Sequence, residues 1–117
     1  MSPGDVLLAP LPQADGRDKD RPVLLLITVP PFDDCLVCGI STQMHNAVAG
    51  LDEKIAPVDD DFEKSGLKAA SFIRTAYLAV LPHAYFKGRI GSISAARHKK
   101  LVAALVTFLS RSCAPAP

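Results

Sequence analysis

An unbroken apolar run at residues 23–27 directly follows Arg21 and Pro22. Five consecutive apolar side chains are typical of a strand that is buried on both faces. Proline fixes its own φ and favours extended backbone at the residue before it. We therefore expect Arg21 at the entrance of a rigid, buried strand, which would hold its permanent positive charge in a fixed position.

Polar residues also follow two later apolar segments of the chain. The segment 41–43, Ser-Thr-Gln, comes after residues 38–40, and Arg74 and Thr75 come after residues 71–73. Together with Arg21 they make three polar groups at strand ends. We expect these groups to meet in one polar site.

Length and composition predict one globular domain at residues 1–112 and a flexible tail at 113–117. Of the 117 residues, 49% are apolar and 21% are charged, which excludes a disordered chain. The net charge of +1 excludes a strongly basic coat for nucleic acid but permits a local basic groove. No apolar run reaches the roughly 18 residues of a membrane span, and residues 1–5 do not resemble a signal peptide. These features predict a cytoplasmic protein with no membrane association.

An odd number of cysteines favours a reducing compartment over a disulfide scaffold. Cys35 and Cys38 have the spacing of redox and zinc motifs, but His45 alone cannot complete a tetrahedral zinc site. In a strand, positions three apart point to opposite faces, so the two thiols should diverge. We expect them to be small apolar side chains of a buried strand, and we expect no metal or cofactor.

The chain is mostly β, followed by one helix. Residues 13–20 form a charged loop, Pro57 confines its strand to a sheet edge, and Ser94 is suited to cap the helix that starts at Ala95. Many short strands and one terminal helix predict a small, strongly bent sheet or partly closed barrel with the helix packed on it. The predicted strands are residues 5–9, 23–29, 35–42, 55–58, 71–75, 77–81 and 88–93.

Six short motifs occur along the chain in an order that is characteristic of one family. With them the chain resembles, over nearly its whole length, the MazF/PemK-like toxins of bacterial toxin–antitoxin pairs. The resemblance implies an SH3-like barrel of the CcdB/MazF type with a C-terminal helix, a homodimer, and a cognate antitoxin. It also implies a metal-independent endoribonuclease, an mRNA interferase that cuts single-stranded RNA. The motifs are Gly4-Asp5-Val6, Arg21-Pro22-Val23, Ile40-Ser41-Thr42-Gln43, Ser65-Gly66-Leu67, Ile73-Arg74-Thr75 and Ile90-Gly91-Ser92.

RNA cleavage without a metal needs a fixed cation, because negative charge grows on the phosphoryl oxygens as the ribose 2′-hydroxyl attacks phosphorus. Arg21 is the first candidate catalytic residue, since its planar fork binds phosphate and stays protonated. The resemblance implies that its partner is the hydroxyl after the isoleucine, here Ser41. A hydroxyl is a weak base, so Ser41 fits the role of a phosphate-positioning donor. Thr42 ranks second because it should face the other side of the strand. An ordinary strand-end turn is the alternative for residues 41–43.

Arg74 is the third candidate catalytic residue. A surface salt bridge, for instance with Asp59 or Glu63, is the alternative reading. PemK-like members carry an acidic residue two positions after this arginine, and here that position is Ala76. The resemblance therefore supplies no carboxylate for acid–base chemistry at this place.

Several polar residues near these groups are candidate RNA contacts. Arg17 and Lys19 lie in the charged loop, and His45 lies in a polar loop where an imidazole could also transfer protons. Among the aromatic residues, Phe32 is the best candidate for an exposed base contact, whereas Phe72 and Phe108 are expected in the core. The full set of candidate RNA contacts is Thr42, Gln43, Thr75, Arg17, Lys19 and His45.

Residues 23–29 and the terminal helix offer more apolar surface than one sheet and one helix readily bury, which adds a physical argument for a homodimer.

Two other functions are compatible with the resemblance. The first is a CcdB-like toxin that binds a protein target such as gyrase without catalysis. The second is a degenerate family member that binds RNA only.

Overall fold

The computed structural model of the chain describes residues 1–12, 15–43 and 47–113. The described strands form one antiparallel sheet in the order β4-β5-β3-β2-β1-β6. A short 3₁₀ turn at His83–Tyr85 precedes the last strand. The elements are β1 Asp5–Pro12, β2 Asp18–Val29, β3 Asp34–Ser41, β4 Glu53–Ile55, α1 Phe62–Ser65, β5 Ser71–Leu81, β6 Gly88–Ser92 and α2 Ala95–Arg111.

Three irregularities bend this sheet. The register shifts between Leu25 and Ile27 in the β2–β3 pair, between Cys38 and Gly39 in the β3–β5 pair, and at Val6 in the β1–β6 pair. Such shifts bend a strand and increase its twist, so the sheet curls instead of staying flat. The expected architecture, a mainly β, curled sheet or partial barrel with a C-terminal helix, is confirmed.

The apolar run that opens β2 is divided between two buried clusters. Leu24 and Leu26 pack in one cluster with Leu101 and Leu105 of α2, whereas Val23 and Leu25 pack on the other face of the sheet. These four β2 residues are between 0 and 3% exposed. The chain therefore covers both faces of β2 by itself, and residues 23–26 are not surplus apolar surface for a partner. The second cluster also contains Leu7, Ala9, Cys35, Val37 and Phe86.

Helix α2 begins as expected and ends differently. The Ser94 Oγ accepts a hydrogen bond from the Arg97 N–H at 3.1 Å, which is the predicted N-cap. From Val106 onward every described residue of the helix is exposed. Phe108 is 41% exposed, so its assignment to the core was wrong.

Arg97 fastens the start of α2 to two preceding elements. Its guanidinium donates to Glu53 at 2.6 Å and to Asp61 at 2.8 and 3.0 Å, and lies 3.3 Å from Asp59. Burial tends to raise the pKa of Asp61, but hydrogen bonds from Arg97 and from the Ser94 N–H outweigh it, so the pKa is lowered. This cluster joins α2 to β4 and α1.

No helix within residues 1–12, 15–43 and 47–113 combines the length and apolar character needed to cross a bilayer.

Candidate functional site

Arg21 and Ser41 lie on neighbouring strands at one end of the β2–β3 hairpin. The last pair at this end is Val23 opposite Gly39, and the same register continued by two residues places Arg21 opposite Ser41. Strand alternation puts Arg21 on the face of Val23 and Ser41 on the face of Val37, and these two valines share one buried cluster. Continued beyond the last observed pair, the register therefore places the sequence-predicted cation and hydroxyl opposite each other on one face.

A groove of about 460 Å³ opens beside Arg21. Its polar lining includes Lys19, Arg21, Thr42 and Lys68. Strand alternation places Thr42 on the opposite face of the strand from Ser41, as predicted. Thr42 lines the groove, and Ser41 does not. Half-buried apolar residues complete the lining and offer a surface on which a base could lie: Leu8, Pro22, Leu67 and Ile90.

The charge of this groove favours an anion. Three cationic residues line it, Lys19, Arg21 and Lys68. Asp20 is the one carboxylate among its described lining residues, and its Oδ1 lies 3.1 Å from the Lys87 Nζ. This pairing offsets the repulsion that Asp20 would exert on a phosphate.

Ser41 makes a local turn at the end of β3. Its Oγ accepts a hydrogen bond from the Gln43 N–H at 3.1 Å, and Gln43 is exposed. The strand-end turn considered from sequence is thus present. Because the Ser41 oxygen acts here as acceptor, its own O–H can still donate to a ligand.

Arg74 is engaged inside the fold and does not line the groove. Its Nε lies 3.7 Å from the Asp52 Oδ2, and its guanidinium carbon is 4.2 Å from the centroid of the Tyr77 ring. The Arg74 side chain is 14% exposed and that of Asp52 is 3% exposed. The salt bridge proposed from sequence exists, but its partner is Asp52, because the loop before β4 brings this residue to β5. Asp59 binds Arg97 instead.

The other predicted RNA contacts are dispersed. Thr75 is fully buried, and its hydroxyl donates to the Leu51 carbonyl at 2.9 Å, so it has no surface to offer to RNA in this structure. This corrects the assignment of Thr75, whose parity places it on the helix side of the sheet. Arg17 is exposed before β2, with its N–H bonded to Asp15. His45 lies outside the described residues.

Phe32 is 81% exposed, as considered from sequence. It lies in the turn beyond Val29, however, and Arg21 and Val29 are separated by roughly 26 Å of strand at about 3.3 Å per residue. Phe32 therefore belongs to the end of the hairpin opposite the groove.

The two cysteines of the CxxC spacing lie in different buried clusters, as expected. Burial raises the pKa of both thiols, and burial together with the charge of Asp52 raises that of Cys38 to about 12. Both are therefore protonated apolar side chains at neutral pH. In the described part of the chain, no group of three or more His, Cys, Asp or Glu residues is placed to hold a metal ion.

Lys68 is a groove residue that the sequence did not single out. The available signal was its position immediately after the Ser65-Gly66-Leu67 motif. Nothing local in the sequence shows that residues 66–69 face β2, because this proximity depends on the whole fold.

A bent antiparallel sheet, a terminal helix and a groove lined by cationic residues define a small barrel-like domain. The family model described as "PemK-like, MazF-like toxin of type II toxin-antitoxin system" matches residues 2–109. The chain therefore belongs to this toxin family, which confirms the resemblance seen in the sequence motifs.

Two solved structures share the fold. The Mycobacterium tuberculosis toxin MazF-mt6 superposes with a TM-score of 0.66 at 21% identity, covering 91% of this chain and 96% of that one. An endoribonuclease in complex with its cognate antitoxin, from a mycobacterial species, gives a TM-score of 0.67 at 17% identity, covering 100% and 99%. A comparison with curated proteins finds no match.

Proposed function

We propose that this toxin is an endoribonuclease that cleaves single-stranded RNA by attack of the ribose 2′-hydroxyl, without a metal ion. The observation that carries the proposal is the position of Arg21, which lines the positively charged groove and lies opposite Ser41 in the continued register. Family membership and the structural likeness to an endoribonuclease support it.

In the proposed reaction the 2′-oxygen forms a bond to the adjacent phosphorus and the bond from phosphorus to the 5′-oxygen breaks. The 2′-hydroxyl loses a proton and the departing 5′-oxygen gains one. The products are a 2′,3′-cyclic phosphate and a 5′-hydroxyl. Arg21 binds the non-bridging oxygens as their charge grows, and Ser41 donates a hydrogen bond that positions the phosphate. Thr42, Gln43, Arg17, Lys19 and His45 are proposed contacts for the flanking RNA.

The decisive test is cleavage of a single-stranded RNA in excess chelator. We expect cleavage that leaves 2′,3′-cyclic phosphate ends, and loss of on the order of 10²–10³ in kcat for Arg21→Ala with folding intact. Arg111→Ala, an exposed arginine at the end of α2, is the matched control and should keep wild-type activity.

Strict dependence on added Mg²⁺ or Mn²⁺ would contradict the proposal, because two-metal cleavage requires carboxylates that converge on the ions. RNA binding without cleavage would indicate a degenerate member. Growth arrest with DNA damage and intact messages would indicate a CcdB-like protein target.

We also propose a homodimer, formed through the open edge of β5. Strand β4 pairs only with residues 71–73 of β5, so residues 76–80 have no partner strand on that side within the described chain. Their exposed side chains include Tyr77, Leu78 and Val80, at 61, 41 and 55% exposure. An apolar strand edge of this kind favours pairing with another chain. Sedimentation should show a dimer at micromolar concentration that Val80→Lys dissociates; a wild-type monomer would refute it.

A cognate antitoxin is the second proposed partner, and the cytoplasm, where messenger RNA is available, is the proposed location. The cationic groove that holds RNA would equally hold an acidic, flexible segment of the antitoxin that orders on binding.

A further inference from the structure

Two glycines bring the segment before β5 into direct backbone contact with β6. A Cβ atom added at Gly66 would lie 2.3 Å from the Ile90 carbonyl oxygen, and one at Gly91 would lie 2.3 Å from the Lys64 carbonyl oxygen. Gly66 also has a φ of +76°, which other residues rarely adopt. The motifs Ser65-Gly66-Leu67 and Ile90-Gly91 therefore interlock, and only glycine allows this approach at either position.

Two buried hydroxyls fix the same segment at both of its ends. The Ser65 hydroxyl, 0% exposed, donates to the Phe62 carbonyl and accepts from the Leu67 N–H at 3.2 Å. The Ser71 hydroxyl, 2% exposed, donates to the Ala69 carbonyl at 2.9 Å. Lys68 and Ala69 are the exposed residues between these anchors, and Lys68 is the charged one.

This anchored segment forms one wall of the groove, and the start of β2 forms the other. Gly66, Leu67, Lys68 and Ala69 contribute to the first wall, whereas the second carries Lys19 and Arg21. The groove thus has cationic residues on both the anchored segment and the start of β2.

We propose that Lys68 forms a second phosphate subsite, which binds an RNA phosphate next to the one held by Arg21. The proposal rests on the proposed ribonuclease function and adds to it a binding residue on a preorganised wall. A lysine ammonium is a hydrated point charge, which attracts phosphate without the fixed fork of arginine. Lys68 should therefore bind substrate and transition state equally, which affects KM and leaves kcat unchanged.

The test compares Lys68→Ala with wild type in steady-state cleavage and in binding of a labelled oligonucleotide whose 2′-deoxy scissile residue prevents cleavage. We expect Lys68→Ala to raise KM about three- to tenfold, to leave kcat unchanged, and to lower the slope of log affinity against log salt by about 0.7, as loss of one phosphate contact requires. Lys68→Arg should restore most of the affinity. The control is Lys99→Ala, an exposed lysine on α2 that does not line the groove.

The possible results separate a failure of the Lys68 subsite from a failure of the proposed ribonuclease function on which it rests. If wild type cleaves RNA and Lys68→Ala matches Lys99→Ala in KM and salt slope, the subsite is refuted and the function stands. A fall in kcat with unchanged KM also refutes the subsite, since Lys68 would then act on the transition state. If wild type neither binds nor cleaves RNA, both proposals fail.

Discussion

Two adjacent hydroxyls, Ser41 and Thr42, occupy different surroundings and should make separable contributions. Ser41 lies opposite Arg21 in the continued strand register, whereas Thr42 lines the groove along which flanking RNA would run. A side chain beside the reacting phosphate acts mainly on kcat, and one that holds the flanking strand acts on KM.

We therefore predict that Ser41→Ala lowers kcat about tenfold, the value of one hydrogen bond of roughly 1.4 kcal/mol, with little change in KM. Thr42→Val, which keeps the side-chain shape, should raise KM and leave kcat unchanged. Steady-state kinetics on one defined RNA measure both variants. The reverse division would place the reacting phosphate beside Thr42 instead of Ser41.

For single residues, the sequence predicted where a side chain lies along its strand better than which side chains surround it. Arg21 lies where the buried run begins, as expected, but it lies inside β2 and not at its entrance, because residues 18–20 extend the strand. The opposite facing of Ser41 and Thr42 followed from strand alternation. That Thr42 lines the groove could not be predicted, because the groove also requires Lys68, which comes from a segment distant in the sequence. The engagement of Arg74 with Asp52 likewise depends on a loop whose path no local pattern specifies.

Among the contacts between elements, the Arg97 cluster should dominate the acid sensitivity of the fold. The pKa of Asp61 is lowered in the folded chain, so the unfolded chain binds a proton more readily than the folded one. The stabilisation from Asp61 is therefore fully present above the unfolded pKa of about 3.9 and is lost as pH falls through the lower folded value.

We predict that Asp61→Asn lowers the free energy of unfolding at pH 7 by about 2 kcal/mol, a typical value for hydrogen bonds to a charged group. As pH falls below the unfolded value of about 3.9, the difference from wild type should shrink, because the stabilisation contributed by the wild-type carboxylate is progressively lost. Urea unfolding at pH 7 and pH 3 measures both effects. Asp60→Asn, at the exposed neighbouring residue, is the control and should match wild type. A difference that is equal at both pH values would mean that the Asp61 charge does not stabilise the fold.

The limits of the strands were predicted less well than their existence. The charged loop expected at residues 13–20 is shorter, because residues 18–20 extend β2 by pairing with the end of β1. The strands expected at residues 71–75 and 77–81 are one strand, β5, whose register with β3 shifts between Cys38 and Gly39. Pairing with a neighbouring strand decided these limits, and side-chain polarity along one segment does not report it. The short helix α1 also escaped prediction, since four residues are too few for a periodic pattern.

For the whole molecule, motif order predicted the architecture, while the apolar surface available to a partner was predicted only in part. Residues 23–26 are buried in two internal clusters, one on each side of the curled sheet. Large apolar side chains that stay exposed include Ile27 of the predicted run, Phe108 and Leu109 of α2, and Tyr77 and Val80 on the open edge of β5. That edge is open because β4 pairs only with residues 71–73, which is a property of the assembled fold. The assignment of residues 1–112 to one domain with a tail at 113–117 stays a prediction, and residues 114–117 lie outside the described structure.

Control of the toxin by its antitoxin should act at the groove cations, since RNA and an acidic peptide segment would use the same charges. Arg74, a candidate catalytic residue from sequence, is engaged with Asp52 and does not line the groove. We therefore predict that Lys19→Glu and Lys68→Glu each weaken antitoxin binding as well as RNA binding, and that added salt weakens the wild-type complex because exposed charges are screened.

Titration of the toxin, bound to labelled uncleavable RNA, with its antitoxin measures the competition directly. Saturating antitoxin should release the RNA, and the two glutamate variants should need more antitoxin to reach saturation than Lys99→Glu, the control on α2. An antitoxin-saturated toxin that still binds the RNA with unchanged affinity would exclude a shared groove, because two ligands of one groove must displace each other.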